Sequence, residues 1–588
     1  MKNQVNDIYV LGLNEGLCAS AALLKNGEII AAASEERFTG IKNQWGFPKK
    51  VIEFCCKFAS INPSDLDLVV LSYIDPYTHF TTGRAVERGE LAPSWLIKLR
   101  NLAPFLEYRY PYLSTFSDFL RKIYYLIYQP KNQAIQAKEI ADYLKIPKEK
   151  IIRMDHHLAH AYTTFYSNPN KENPSLVLTC DGAGDQDCAS VYLVNNNTFK
   201  QLLSTPHKHS LGLLYSSITH FLGLRPHEDE YKVMGLAPYS ANSDFSKILD
   251  ILKSLIWVEG LRFNSKVFSR HFNFFIRDNL MYQRFDKLAC AVQKLLEELL
   301  VQWVLNAVSK TKIKSISFGG GVFQNVKANQ KILELSRIKN AFFMPSPGDE
   351  TNCIGACFFG YQTLCKKEKT KFNPLAIKNM YLGPNFSEEE ILKALKKYPK
   401  LKYKKSAKNF KLAAKLIEKG EILARFSGRM EMGARGLGNR SIIADPRNVN
   451  TIEKINKMIK MRDFWMPFAP TILAEKAHIY LKNPKKAKSP FMMLAFDTSE
   501  QGKTTLVATI HPGDKTTRPQ ILNKEDNLNY YLLIEEFGSL TNVYALLNTS
   551  FNIHGKPIVC TPDDALDTLI NSGLKYLLME DYLISKNE

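Results

Sequence analysis

The amino-acid sequence predicts an α/β protein of two large domains, the second of more mixed α+β character. Three observations lead there. Apolar strand-like runs end repeatedly in glycine- and acid-rich turns, at Asp181–Asp185, Gly319–Gly321 and Ser346–Asp349. Helical stretches lie between them, the alternation that builds a sheet with helices on its faces. At 588 residues the chain is too long for a single ordinary core.

Composition narrows the class. Apolar and charged fractions of 45% and 23% are those of a soluble globular protein. The first residues, MKNQVNDIYVLG, do not read as a signal peptide, and no apolar run is long enough to span a bilayer. The ten cysteines form no C-x-x-C pair, and Cys55, Cys56 and Cys290 sit in apolar helical stretches as buried thiols do. A cytoplasmic location is expected. The net charge of +20 comes largely from dispersed lysines, the pattern of a solvated surface. No zinc-finger or RNP-type motif accompanies it, so nucleic acid is not the expected partner.

Along the chain, residues 8–13 (IYVLGL) open a strand, and Asn26-Gly27 between further strand-like segments is a hairpin signal. A strand, a small-residue turn and a hairpin is how an actin-like ATPase domain opens. Lys42 precedes an ordered-looking loop, Trp45-Gly46-Phe47-Pro48. Residues 76–150 are aromatic and basic with amphipathic helical spacing, and read as a helical insertion that serves as a lid, an acceptor-binding element, a dimer surface or a membrane-surface element.

Asp155-His156-His157-Leu158-Ala159-His160-Ala161 follows. On a helix, His156 and His160 lie one turn apart on one face, so both imidazoles reach one ion. An isolated H-x-x-x-H is more often a surface pair, and two histidines do not close a metal site. Asp181, in the turn after the strand Ser175–Cys180, and Asp349, in Ser346-Pro347-Gly348-Asp349, offer carboxylates. Asp349 either caps the next helix or faces a metal. Lys232 sits beside the glycine-proline turn Gly235–Pro238, and Gly319-Gly320-Gly321 with Asn325 forms a strand-to-helix junction suited to a phosphate or nucleoside.

Cys365–Lys371 reads as a charged linker, and Ser387-Glu388-Glu389-Glu390 as a capping box. The expected domains are therefore 1–371 and 372–588. The second opens with a helix at 409–418 and a strand at 422–426, then carries arginines among glycine turns: Arg429, Arg435, Arg440 and Arg447, with Lys460, Arg462, Arg518 and Asn548 later. The planar guanidinium suits phosphate oxygens, so this grouping points to a polyanion pocket.

Taken in order, DHHLAHA, CDGAG, EYKVMGLAPY, FGGGVFQN, SPGDE, GRMEMGARGLGNRSIIADPR, MPFAP, RPQ and LNTSFNIHGKPIVCTPDDA resemble the O-carbamoyltransferases of the nodulation and antibiotic-tailoring type, nearly end to end. The resemblance implies an actin-like (ASKHA-type) N-terminal domain akin to threonylcarbamoyl transferases, and a C-terminal YrdC-like twisted-sheet domain. It implies that carbamoyl phosphate and ATP give carbamoyl-adenylate in the second domain, and that the first transfers the carbamoyl group to a hydroxyl of a small-molecule or sugar acceptor. On this chain, His156, His160, Asp181 and Asp349 would hold a divalent metal, Fe2+ expected, with manganese or zinc open. His156, His160, Lys42 and Lys232 are the candidate catalytic residues, and His157 a structural one. Gly319, Gly320, Gly321 and Asn325 would hold nucleotide. Arg429, Arg435, Arg440, Arg447, Lys460, Arg462, Arg518 and Asn548 would bind carbamoyl phosphate and ATP. A tRNA-modifying enzyme of the threonylcarbamoyl type is the alternative, and a homodimer is possible. The chain departs from the family at Cys18, where an aspartate is usual, at Asn43, where a histidine is common, and at Met466, where an arginine often stands.

Overall fold

The computed structural model describes residues 7–75, 103–406 and 409–586. The chain divides into two compact units, residues 1–30 with 43–377 and residues 31–42 with 378–588. The first unit holds two five-stranded sheets built on one plan. In the first sheet the order is β3-β2-β1-β4-β5, from β1 (Tyr9–Asn14), β2 (Ser20–Lys25), β3 (Glu28–Ser34), β4 (Leu68–Leu71) and β5 (Ile151–Arg153). Strand β1 is antiparallel to β2 and parallel to β4, which is parallel to β5. Between β2 and β3 stands the two-residue Asn26-Gly27 turn, both residues at positive φ, as such a tight connection requires.

The second sheet repeats that order from β6 (Ser175–Gly184), β7 (Asp187–Asn195), β8 (Thr198–Pro206), β11 (Ser315–Gly319) and β12 (Asn340–Phe343); a separate hairpin, β9 (Ile256–Glu259) with β10 (Arg262–Ser265), lies between them in sequence. Strands β6, β7 and β8 form an antiparallel meander, and β11 and β12 add in parallel to β6. The inner strands are apolar on both faces: Leu176, Val177, Leu178, Ile316 and Phe318 are all buried.

Helices follow the same plan. Strand β5 leads into α2 (His156–Ser167), and β12 leads, through a 3₁₀ turn at Asp349–Thr351, into α5 (Asn352–Glu368). The last strand of the first sheet therefore delivers the helix that carries both histidines, and that of the second delivers the turn that carries Asp349. Also in this unit are α1 (Tyr112–Leu144), α3 (Leu211–Phe221) and α4 (Val326–Leu333). Of the expected insertion at 76–150, residues 76–102 lie outside the described residues, and most of the remainder is the 33-residue α1. The expected linker at Cys365–Lys371 needs correction. Cys365 is buried and the helix runs on to Glu368, ending where Lys369 turns left-handed. Four charged residues made this last turn look like a connection.

The second unit is built on one mixed sheet of order β13-β23-β22-β14-β15-β21-β16-β20. Its members are β13 (Leu401–Lys405), β14 (Leu423–Phe426), β15 (Arg440–Ala444), β16 (Ala469–Leu473), β20 (Gln520–Leu522), β21 (Ala545–Ser550), β22 (Tyr576–Met579) and β23 (Tyr582–Lys586). A small three-stranded sheet joins β17 (Leu481–Lys482), β18 (Phe496–Thr498) and β19 (Thr516–Thr517). Helices α6 (Glu388–Leu395) and α7 (Pro562–Ile570) start on complete capping boxes, Ser387 with Glu390 and Thr561 with Asp564. Their apolar faces, through Ile391, Leu395, Leu566 and Leu569, close a core with Phe426, Ile442, Leu547 and Leu577 from the sheet. No helix among the described residues is long and apolar enough to cross a membrane.

Candidate metal centre

Two carboxylates fix the start of α2. Asp155 is its N-cap, accepting from Leu158 N at 2.8 Å, and Asp185 Oδ2 accepts from His156 N at 2.9 Å. Both satisfy amide groups that a helix leaves without partners, and both sit at the positive end of its dipole. The same Asp185 accepts from the amides of Ile74 and Asp75, tying the end of β4 to the helix start. His156 and His160 then face one another, Nε2 to Nε2 at 3.1 Å.

Asp181 and Asp349 complete the group. His160 Nε2 is 3.0 Å from Asp181 Oδ2 and 3.3 Å from Asp349 Oδ1, and His156 Nε2 is 3.4 Å from the same Asp349 oxygen. One donor atom from each of the four residues lies within 4.8 Å of all the others. Donors about 2.1 Å from a shared ion stand roughly 3 to 3.5 Å apart, so these separations suit a cation at the centre. The four residues fit a metal on a second count. Asp349 Oδ1 is buried and accepts no well-formed hydrogen bond, although it faces two imidazole nitrogens.

The electrostatics carry the same demand for positive charge. Burial opposes protonation of His156, yet the Asp349 carboxylate, helped by Asp181 and Asp185, holds its pKa up at about 9. Burial likewise opposes a charged His160, and Asp181 and Asp349 outweigh it. Against the upward push of burial, the two imidazoles hold Asp349 well below the usual carboxylate range. Without a cation, the carboxylates take up protons on the histidines in its place. His157 behaves differently. Burial, with the two neighbouring imidazoles, keeps it neutral, and its Nδ1 meets Thr179 Oγ1 at 3.0 Å, the structural role expected of it.

The glycines of the acid turns are there for close approach. A methyl group on Gly184 would lie 2.0 Å from the His156 ring, so only glycine leaves room for that imidazole. Gly320, at φ +94°, would put a methyl 2.3 Å from Cys180 O. The triple-glycine turn thus presses against the strand carrying Asp181, and Gly321 N–H donates to Asp181 Oδ2 at 3.1 Å. Gly319 ends β11 against Thr164 of α2. The side chain of Asn325 is engaged as the N-cap of α4 and with Gln293, so its part here is to hold the turn in place.

Two further residues at the centre had no signal in the sequence. Asn352 is fully buried with its amide 3.2 Å from His160 Nε2, and Asp185 positions His156 across 29 residues of chain. Lys232 is ion-paired with Asp229 at 3.2 Å, and Lys42 is exposed in the segment grouped with the second unit. Cys18 Sγ lies 3.6 Å from Asn43 Oδ1, so two of the three departures from the family meet. Met466, the third, is buried.

In the second unit the expected phosphate-binding residues separate into two sets. Arg440 is fully buried. Its guanidinium stacks 3.6 Å from the Phe426 ring centre and donates to the carbonyls of Ser427, Asn439 and Gly428. Arg447 is held in a bidentate pair by Asp445, and Arg429 donates to the carbonyls of Leu382 and Gly383. All three are engaged with the fold around them, although Arg440 Nε is buried without a hydrogen-bond partner. Asn548 Nδ2 is similarly engaged with Gly436 O and Thr471 Oγ1, while its Oδ1 is buried without a partner. The 433–440 loop is wrapped on Glu431, whose Oε1 accepts from the amides of Leu437, Asn439 and Arg440.

Arg435, Lys460, Arg462 and Arg518 form the other set. Burial, followed by the nearby charges of Arg435 and Arg462, holds Arg518 well below the usual guanidinium range. Burial, with Arg462 beside it, does the same to Lys460. Lys460 Nζ reaches Ser550 Oγ at 3.2 Å and Asn552 Oδ1 at 2.7 Å, and Arg462 reaches Thr549 Oγ1 at 3.1 Å. Lys460 closes a short π-helical stretch, Asn456–Lys460, a distortion that recurs at functional sites. Like charges brought together beside hydroxyl groups at the end of β21 suit an anion with several negative oxygens.

Comparison with known proteins adds an independent line. Residues 10–358 match the family model "Carbamoyltransferase N-terminus", and residues 414–586 match "Carbamoyltransferase C-terminus". An uncharacterized protein of Methanocaldococcus jannaschii is 32% identical, covering 98% of this chain and 99% of its own length. One from Synechocystis sp. is 31% identical, covering 97% and 95%. Nodulation protein NolNO of Sinorhizobium fredii is 28% identical over 96% of this chain and 78% of that protein.

Proposed function

The chain belongs to the carbamoyltransferase family, and from that premise we propose that it is an ATP-dependent O-carbamoyltransferase working in two steps. In this reading the second unit hydrolyses carbamoyl phosphate with one water to carbamate and inorganic phosphate, and the carbamate oxygen then attacks the α-phosphate of ATP to give carbamoyl-adenylate and pyrophosphate. The first unit passes the carbamoyl group to a hydroxyl of a small-molecule or sugar acceptor, and AMP leaves. One observation carries the division. A two-histidine, two-carboxylate cluster lies in one unit, and a cluster of four cations, Lys460 buried and three arginines half-buried, lies in the other. The repeated strand order of the first unit supports reading it as an actin-like, ASKHA-type domain. The second is read as YrdC-like on the resemblance of its motifs.

The roles follow from charge. Arg435, Lys460, Arg462 and Arg518 neutralise and orient the phosphates in adenylate formation, where charge stabilisation is the main tool. His156, His160, Asp181 and Asp349 would hold a divalent metal, read as Fe2+. Bound there, it would supply Lewis-acid polarisation of the carbamoyl carbonyl. Asp155 and Asp185 fix the helix bearing the histidines, and Asn352 orients His160. The acceptor oxygen attacks the carbamoyl carbon, the bond from that carbon to the adenylate oxygen breaks, and the acceptor proton is released. The family match does not favour the tRNA-modifying alternative.

The test separates the steps. His160→Ala should lose the metal, release pyrophosphate and carbamoylate nothing. Arg435→Ala should keep the metal and lose carbamoyl-dependent pyrophosphate release. Wild-type metal content in the first variant, or wild-type pyrophosphate release in the second, would overturn the assignment.

A further inference from the structure

A cavity of about 450 Å³ opens in the first unit between α3 and the segments around His207 and Phe268. Its volume is that of a small-molecule site. No acidic side chain lines it. Lys208, Arg270, His207, His220 and His227 do, with hydroxyls from Ser216, Ser217 and Ser269. Phe268 stands between two of the cations, Lys208 Nζ 4.8 Å and the Arg270 guanidinium 4.9 Å from its ring centre. Arg270 is fixed by Glu107 and Asp118, yet its Nη2 is buried and has no hydrogen-bond acceptor. Lys208 makes no ion pair among the described residues. A ligand entering here therefore meets one uncompensated ammonium, a guanidinium held by two carboxylates, imidazoles, the Ser217 hydroxyl and an aromatic ring, while the Ser216 and Ser269 hydroxyls donate to Glu230 and His207 O.

The cavity is also tied to the turn that bears a metal ligand. Ser269 Oγ accepts from Ser210 N at 2.8 Å, and Ser210 Oγ donates to Gly182 O at 2.6 Å, next to Asp181. Leu213, in the cavity wall, would lie 3.6 Å from a methyl group on Gly182. We propose that this cavity is a binding site for a small organic phosphate, its phosphate oxygens met by Lys208, the imidazoles of the lining and the Ser217 hydroxyl, and its carbon skeleton laid on Phe268. Phosphate monoesters match the site because they combine two negative charges with three strong acceptor oxygens. The proposal concerns binding and stands whether or not the two-step reading above holds.

Glucose 6-phosphate and glucose, titrated calorimetrically into the full chain, provide the test. Glucose 6-phosphate should bind saturably and glucose should not. Lys208→Gln combined with His220→Gln, both at the surface of the site, should weaken binding about tenfold or more while melting is unchanged. Arg435→Ala should leave the affinity as in wild type, since that cation belongs to the second unit. The proposal is overturned if the phosphate ester does not bind below about 10 mM, where RT ln Kd falls to under about 3 kcal/mol. It is equally overturned if the double variant binds as wild type does, or if Arg435→Ala abolishes binding. A second arm identifies the ligand's source. With carbamoyl phosphate and ATP present, a carbamoylated sugar phosphate in the mass spectrum marks an acceptor site, and unchanged sugar phosphate with altered pyrophosphate release marks a regulatory one.

Discussion

A single methyl group outside the metal cluster should disturb it. Gly355 lies one turn into α5, and a methyl built there would stand 2.1 Å from Ala159 O and 2.5 Å from Thr163 Oγ1 of α2. Ordinary carbon–oxygen contacts are roughly 3.3 Å, so Gly355→Ala must part the two helices by about 1 Å. Retreat is blocked on the far side, where Cys353 O sits 1.9 Å from where a methyl on Gly12 of β1 would be. Overpacking of this kind costs about 1–3 kcal/mol, and the better helix propensity of alanine returns about 1 kcal/mol. A net loss of roughly 0–2 kcal/mol is expected, with a larger effect on the cluster. Helix α2 carries both histidines, whereas Asp349 and Asn352 lie at the start of α5, so separations of 3.2–3.4 Å would open. Metal affinity should fall by about 10–100-fold, the usual effect of disturbing the residues that support a ligand set. Chelator competition with metal analysis measures it. Gly182→Ala is the contrast, since its methyl would meet only Leu213 at 3.6 Å, and it should bind metal as wild type does. If Gly355→Ala holds metal within about twofold of wild type, equivalent to about 0.4 kcal/mol, the close approach of these helices does not set the geometry.

Three other outcomes are expected. Arg440→Leu should destabilise the second unit by about 3 kcal/mol, because three backbone carbonyls lose their donor, whereas Arg435→Ala should melt as wild type or slightly higher. Pyrophosphate should raise the melting temperature of the wild type and not of Arg435→Ala, with an equal rise in both refuting the anion pocket. His209 is held down at about 4 by burial and by Lys208, Arg262 and His207, and its Nδ1 accepts from Ser265 N. Its contribution is complete above the unfolded value near 6.5 and is lost as pH falls towards 4. After allowance for its partial exposure the loss is about 1–2 kcal/mol, and denaturant titrations at pH 7 and pH 4.5 should show it in wild type and not in His209→Gln.

Much of this was legible in the chain for identifiable reasons. Helical spacing puts His156 and His160 on one face whatever surrounds them, and a glycine-acid turn after a buried strand leaves its carboxylate few places to go. The hairpin at Asn26-Gly27 and the capping box at Ser387 are local chemistry, and both formed as expected. Long-range capping is another matter. That Asp185 reaches back to His156 N, or Glu431 forward to three amides, depends on which strands meet, and no local pattern encodes that. The arginines were hardest, because composition records a guanidinium without recording its partners. One signal did exist: Arg440 opens the apolar strand run Arg440–Ala444, where a solvated arginine has no natural place.

The division of those arginines has a physical cause. A cation that scaffolds a loop donates within the fold, as the two Nη atoms of Arg440 do to three carbonyls, and burial then lowers its pKa only to about 10. A cation that waits for a ligand cannot be neutralised the same way, since a carboxylate beside it would compete with the phosphate. Lys460, buried, and Arg518, half-buried, accordingly stand among like charges, an arrangement that raises the free energy of the empty site. That unfavourable term is relieved when an anion enters, so binding is driven partly by removal of a repulsion already present. The metal cluster uses the opposite sign by the same logic. There the carboxylates of Asp181 and Asp349 crowd together, and protons on the histidines hold the place of a cation. Each unit thus carries an excess of one charge at its site, matched to the sign of what that site is proposed to bind.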